Sequence, residues 1–276
     1  MKRHIFHYGI GEIAPYIDWS YFLHAWRVKP QTETAEELIA DARRMLQSLE
    51  GKYRTHALFA LCDARSECDN IIVEGTTLPL LRQQHCATGK PNLCLSDFVS
   101  PHDDRIGVFA ASVDSTFGAE FRNDDYLNII ARTLADRLAE ATASFMHRMV
   151  RTDSELWGYS PDESLSIEQL NREEFQGIRP AVGYPSLPDQ SIIFIIDEIL
   201  GLKDAGIEIT PNGAMSPHAS VCGIMLSHPA AQYFAVGEIS EEQLNDYAMR
   251  RGVPVGTSRK FLCRNIAGSS AGENHF

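Results

Sequence analysis

The sequence has no long hydrophobic run. Ala57 to Cys62 is apolar throughout, and Ile192 to Ile196 stops at Asp197 and Glu198, both well short of the roughly 20 residues that a membrane-crossing helix needs. Met1-Lys2-Arg3-His4 has basic character, but no apolar stretch follows before Glu12 and Asp18, so a secretory leader is not expected. These absences point to a cytoplasmic protein without a membrane partner. Positive charge is scarce as well: 25 Lys and Arg stand against 37 Asp and Glu, a formal net charge of -12. A nucleic-acid surface needs clustered cations, so no nucleic-acid partner is expected. There are only six cysteines (Cys62, Cys68, Cys86, Cys94, Cys222 and Cys263) and no CxxC pair. In a chain of this length that argues for reduced, mostly buried thiols, not a disulfide frame or a zinc site.

Catalytic signatures are missing too. There is no GxSxG elbow, no HExxH and no P-loop. Gly9-Ile-Gly-Glu12 is the nearest fragment to a dinucleotide-binding glycine loop, and it is too short and reads as having no strand before it. No Pro/Ser/Gly-rich linker divides the chain and no repeat is visible, so residues 1–266 read as one domain. The polar tail 267–276 reads as disordered.

Against these gaps, 44% of the residues are hydrophobic, enough for a sizeable core. Thr34 and Glu37 form a capping-box pattern, followed by Leu38, Ala42, Met45 and Leu49 at helical spacing with Gly51 behind. His56 to Cys62, Asn70 to Glu74 and Arg105 to Val113 read as strands, and Leu78 to Thr88 as a helix. The longest predicted helix runs from near Asp124 to about Arg151, with Leu127, Ile130, Leu134, Leu138, Ala141 and Phe145 as its buried stripe. Ser166 with Gln169 and Ser240 with Gln243 are further capping boxes. Asp189 to Leu200 reads as an apolar helix, and Ser220 to Leu226 with Tyr233 to Ile239 as a hairpin around Ser227-His228-Pro229. Strands in hairpins with helices between them, and no regular alternation, predict an α+β fold with an antiparallel sheet.

Three places stand out chemically. Gly177-Ile-Arg-Pro-Ala-Val-Gly-Tyr-Pro185 is a turn-rich loop whose glycines and prolines let backbone approach a ligand. Arg179 offers a fork for a carboxylate, and Tyr184 a ring against which a cationic centre can lie. The plainer reading is a stiff connection whose Arg179 pairs with a local acid. Asp136, Glu140 and Ser144 share one helix face, with His147 nearby. They form either a solvated row partnered by Arg132 and Arg137, or a site in which Glu140 accepts from an ammonium or from ribose hydroxyls. Asp18, among Ile17, Trp19, Tyr21 and Phe22, either caps a helix or accepts from a ligand's amino group. His24, His85, His218 and His228 read as structural.

Eight segments in order resemble a known family: Pro15 to Trp19, Leu81 to Gln84, Cys94 to Val99, Ala135 to Ala141, Trp157 to Tyr159, Gln176 to Pro185, Ala219 to Val221 and Ser227 to Pro229. They are similar to the C-terminal activation domain of cobalamin-dependent methionine synthase, and they run from about Ala14 to Gly252. Ala-Asp-Arg-Leu-Ala-Glu-Ala (135–141) and the loop around Arg179 are the most specific. The resemblance implies a single curved α+β domain, a twisted antiparallel sheet with flanking helices, that binds S-adenosylmethionine. It implies that Arg179 holds the methionine carboxylate, that Asp18 and Glu140 serve the amino and ribose groups between them, and that Ala181 and Gly183 line the adenosine, with Tyr184 and Tyr233 completing the site.

No catalytic or metal-binding residue is implied on this chain. As part of an enzyme it would be a component of the methionine synthase system. It would support the reductive methylation of cob(II)alamin, with an electron from flavodoxin or another donor and a methyl group from S-adenosylmethionine. Cobalamin would be contacted only through the partner. The chain has no DxHxxG cobalamin-ligating motif, and the match begins almost at its first residue. A separate cobalamin-carrying methionine synthase core is therefore the expected partner, joined through a weak, transient interface. The alternatives are a sensor or reactivator for another corrinoid protein, and an independent hydrolase or methyltransferase using Asp18, Glu140 and His147.

Overall fold

A computed structural model describes residues 1–266; the tail expected to be disordered, 267–276, lies outside the described residues. In chain order the elements are β1 (Lys2–Gly9), α1 (Ile10–Ile13), α2 (Trp19–Ala25), α3 (Glu33–Leu49), β2 (Arg54–Glu67), β3 (Asn70–Val73), β4 (Thr76–Pro79) and β5 (Asp104–Val113), followed by α4 (Asp125–Thr152), α5 (Ile167–Asn171), α6 (Ile193–Leu200), β6 (Glu208–Ile209), β7 (Met215–Ser216), β8 (Ser220–Met225), α7 (Glu241–Arg251) and α8 (Val255–Phe261). Six strands form one antiparallel sheet in the order β4-β3-β2-β5-β8, with β1 also on β2; β6 and β7 pair separately. The α+β expectation holds, with the sheet curled and flanked by helices.

The central strands are apolar on both sides because both sides are covered. In β2 and β5, Ala57, Phe59, Phe109 and Ala111 face a core shared with α3 and α4. Leu58, Ala60, Val108 and Ala110 face a second core shared with Ile193, Ile196 and Leu200 of α6. That explains the unbroken run Val108-Phe-Ala-Ala111, which an alternating strand would not show. A third cluster joins Leu244, Tyr247 and Leu262 to Leu81 and Val236, docking α7 and α8. In α4, Asp124 caps the start through Leu127 N (3.0 Å). Four of the six expected stripe residues, Ile130, Leu134, Leu138 and Ala141, are under 4% exposed, while Leu127 and Phe145 are half-buried against the same core. Burial of each such leucine or isoleucine stabilises the fold by roughly 1.5–3 kcal/mol.

Several expectations are corrected. The cap of α3 is Thr32, whose hydroxyl accepts from Ala35 N at 3.2 Å; Thr34 lies inside the helix. Asp189 caps a 3-10 turn, Gln190–Ile192, from which α6 continues. No helix forms over 80–88. There, Arg82 is claimed by Asp69 and Asp97, and Gln83 and Gln84 bond the distant Ala235 O and Ser240 N. These tertiary bonds override helix propensity. The expected hairpin is half right. Ser220–Met225 is a strand, but it pairs with β5, and residues 233–237 carry no strand. Their backbone is engaged elsewhere: Val236 N donates to Pro185 O, and Phe234 O accepts from Ser186.

A strand, β1, does precede Gly9, although the short helix after it leads into an antiparallel sheet and not a dinucleotide-binding unit. Of the cysteines, Cys62, Cys94 and Cys222 are buried, while Cys68, Cys86 and Cys263 are exposed, so the thiols are not mostly buried. Among the described residues no helix is long and apolar enough to cross a membrane.

Candidate functional site

The loop 177–185 lies against β8 as an incomplete extra strand. Ile178 and Leu226 exchange backbone hydrogen bonds at 2.9 Å, Ile224 N donates to Pro180 O, and Val182 N donates to Cys222 O. The approach is close because β8 offers Gly223: a Cβ there would sit 2.1 Å from Pro180 O and 2.8 Å from Ala181 Cα. The loop enters through Gly177 at φ +84°. The prolines and this backbone pairing together make the loop stiff, and its side chains reach out toward α4.

On α4, residues Glu140, Ser144, His147 and Arg151 succeed one another at three- and four-residue steps, so they share a face. That face meets the loop. Arg179 Nη2 donates to Ser144 Oγ at 3.0 Å, and its Nη1 lies 3.6 Å from Glu140 Oε2. The Arg179 backbone N–H donates to the Tyr233 hydroxyl at 2.9 Å. Tyr184 donates to Glu140 Oε1 at 2.5 Å. Although the Tyr184 ring is half-exposed, burial of its hydroxyl end, reinforced by the charge of Glu140, holds the phenol well above its usual range. Burial also raises the Tyr233 phenol. Both rings therefore stay neutral and act as hydrogen-bonding walls. Arg179 does pair with an acid, as the plainer reading anticipated, but a remote one; Glu140 and Ser144 use its Nη atoms. Its Nε is buried without a hydrogen-bond partner among the described residues. A buried, unsatisfied donor on a cation is costly.

This geometry borders a cavity of about 590 Å³. Asp18, Glu140, Arg179, Ala181, Tyr184 and Tyr233 all line it; Gly183 does not. Gly183 occupies a turn at φ +86°, its N–H bonded to Leu187 O, and a Cβ would meet Gln190 Oε1 at 2.5 Å. Its place in the structure is the turn. Asp18 caps α2, accepting from Ser20 N (2.8 Å) and Ser20 Oγ (2.5 Å), and both bonds fall on Oδ1. Asp136, on the same helix face as Glu140, pairs instead with His218 at 3.1 Å.

Sequence reasoning missed part of the wall. Tyr16 and Tyr21 flank Asp18 in an aromatic run that was visible. Arg151 lies one turn beyond His147. Phe175 and Glu173 carried no signal, since the segment before the loop shows no periodicity. Arg151 is 1% exposed and grips Glu163 in two bonds (2.6 and 2.7 Å) while facing the Phe175 ring at 4.1 Å. His147, also 1% exposed, has its Nε2 2.9 Å from the Tyr159 hydroxyl. Burial, then the cations Arg151 and Arg179, pushes its imidazole well below the usual histidine range, so the ring is neutral. The inner wall is thus polar but uncharged at His147, with a guanidinium on either side.

Such a cavity suits a small zwitterion with an aromatic or heterocyclic part: a cation for a carboxylate, two carboxylates for donors, and tyrosine faces for a ring. Residues 9–252 match the family described as vitamin B12 dependent methionine synthase, activation domain. A crystal structure described as the MetH reactivation domain bound to AdoHcy is 35% identical, with a TM-score of 0.89 over 97% of this chain and 91% of that one. The matched span takes in α4, the loop on β8 and every residue lining the cavity, and on that ground the chain belongs to the activation-domain family of vitamin B12-dependent methionine synthase.

Proposed function

We propose that the cavity binds S-adenosylmethionine and that the protein serves as a reactivation module for a cobalamin-dependent methionine synthase core carried on a separate protein. The observation that carries the proposal is the Arg179 guanidinium, held by Ser144 and Glu140 with its buried Nε unpartnered among the described residues, at the wall of a cavity it shares with Asp18. The residues fit the ligand: about 590 Å³ lies within the range of roughly 300–1,000 Å³ usual for small-molecule sites. Support also comes from the similar reactivation domain, whose ligand, AdoHcy, lacks only the transferable methyl group and the sulfonium charge.

In this reading the methyl group comes from the sulfonium of S-adenosylmethionine, and the nucleophile and its reducing electron come from the partner's corrinoid and a flavodoxin-like or other donor. What this chain contributes is position. Arg179 clamps the carboxylate, with Nε among its donors. Asp18 and Glu140 accept from the amino group and the ribose hydroxyls. The backbone at Ala181, held on β8, and the rings of Tyr184 and Tyr233 border the rest. Gly183 keeps the turn that brings Tyr184 into place. The corrinoid must be presented from outside these 276 residues, since they contain no DxHxxG motif.

Calorimetric titration of S-adenosylmethionine into the wild type and Arg179→Ala tests the proposal. The wild type should bind, and the variant should lose about 2–4 kcal/mol as a charge-assisted bidentate contact disappears. Equal binding by both would remove Arg179 from the site. Absence of binding by the wild type would remove the function.

A further inference from the structure

Away from the cavity, β1 and β2 bring two histidines together. Their antiparallel register sets His7 opposite His56, so both side chains stand on the same face of the sheet. The two Nδ1 atoms are 2.7 Å apart and the ring planes are inclined at 79°. Neither residue lines the ligand cavity. Two ring nitrogens at that separation hold a single hydrogen between them: one donates and the other presents a lone pair.

The far side of His56 decides which. Its Nε2 lies 2.9 Å from Asp114 Oδ1. An ionised carboxylate only accepts, so Nε2 carries the hydrogen, and in the neutral ring Nδ1 is left as the free lone pair. Asp114 is itself fixed, because Oδ2 accepts the Arg54 backbone N–H at 2.7 Å. A histidine whose outer N–H is held by an anchored carboxylate has its tautomer and ring orientation set, as in metal-ligating histidines.

We propose that His7 and His56 form a two-histidine clamp for a late first-row divalent ion such as Zn2+ or Cu2+, with Asp114 as the backing carboxylate. The ion takes the place of the shared hydrogen, which moves through solvent from Nδ1 to Nε2 of His7, so that both rings stay neutral and both Nδ1 lone pairs bind the ion. Bonds of about 2.0–2.1 Å at a near-tetrahedral angle put the two nitrogens about 3.3 Å apart, so the pair must open by about 0.6 Å. His7 can supply that movement, because it is exposed on a strand that, among the described residues, pairs only with β2. Imidazole ligands favour zinc, copper and nickel over magnesium or calcium. Water completes the coordination, since among the described residues no group of three or more His, Cys, Asp or Glu surrounds a common point.

The test is a titration of the full chain with Zn2+ alone by calorimetry, paired with Cu2+ followed by electron paramagnetic resonance. Wild type should bind one ion at this site. His7→Ala and His56→Ala should each weaken binding at least tenfold, and Asp114→Asn about tenfold, because the carboxylate that holds the outer N–H of His56 is lost. The copper spectrum should show coupling to two nitrogens in the wild type and to one in His7→Ala. Because His7 is exposed, that variant is expected to keep its circular dichroism and its S-adenosylmethionine titration. No binding by the wild type, or wild-type affinity in both histidine variants (the ion then sitting on exposed thiols such as Cys68), would overturn the clamp.

Discussion

Asp18 shows how one residue can satisfy two readings. A carboxylate among aromatic neighbours needs a donor, and it finds two in Ser20, both on Oδ1, while still bordering the cavity. The capping expectation is met without settling the ligand one. His147 is the opposite case, a polar residue almost wholly buried at the inner wall of the cavity. In the folded protein its pKa lies well below the usual histidine range, whereas in the unfolded chain it titrates near 6.5. Below that pH the unfolded state binds a proton that the folded state refuses. Its contribution to stability is therefore fully present above about pH 6.5 and falls as the pH drops, at up to about 1.4 kcal/mol per unit. Urea unfolding at pH 7.0 and 5.5 should show the wild type losing more stability than His147→Gln. The same loss in both proteins would mean that His147 does not contribute to the acid sensitivity.

At the scale of elements, α4 was readable because its signals are local: a cap at Asp124 and an apolar stripe repeating with the helix. The start of α3 was misread for a related reason. Thr34 has an acid three residues on, Glu37, and Thr32 has Ala35 there, so only the backbone shows that Thr32 is the extended residue, at φ -114° and ψ 154°. Thr32→Ala should therefore cost about 1 kcal/mol of stability. Thr34→Ala, inside the first turn, should cost almost nothing, and a thermal melt of the two variants separates these outcomes. Strand β1 escapes a sequence reading because it is an edge strand: among residues 2–9 only Tyr8 is buried, so no alternating apolar pattern betrays it. The 80–88 segment differs in the other direction, since its helix-forming composition is outweighed by bonds to Asp69 in the turn before β3, to the Leu95–Phe98 turn and to residues near 235–240.

Across the whole molecule, the site depends on the loop lying flat on β8, and Gly223 permits this. Gly223→Ala should push the loop away from the sheet, costing about 1–3 kcal/mol by overpacking, and should weaken S-adenosylmethionine binding along with it. Paired denaturation and calorimetry test the link: a variant that folds with wild-type stability and affinity would mean that the loop can shift without consequence. Nothing in the sequence flags this glycine over the others, because the atom it makes room for, Pro180 O, belongs to a segment 43 residues earlier. The amino-acid sequence alone determined the α+β class, the long helix with its capped start, the family resemblance, and the types of side chain gathered at the site. It could do so because caps, periodicity and short motifs are written in neighbouring residues. Only the tertiary structure decided that Arg179 meets Ser144 and Glu140 with its Nε unpartnered, that Tyr184 reaches a carboxylate 44 positions away, that Gly183 serves the turn and not the cavity wall, and that His7 faces His56. Those pairings follow from how the loop, α4 and the strands pack in three dimensions, and no local pattern in the chain encodes them.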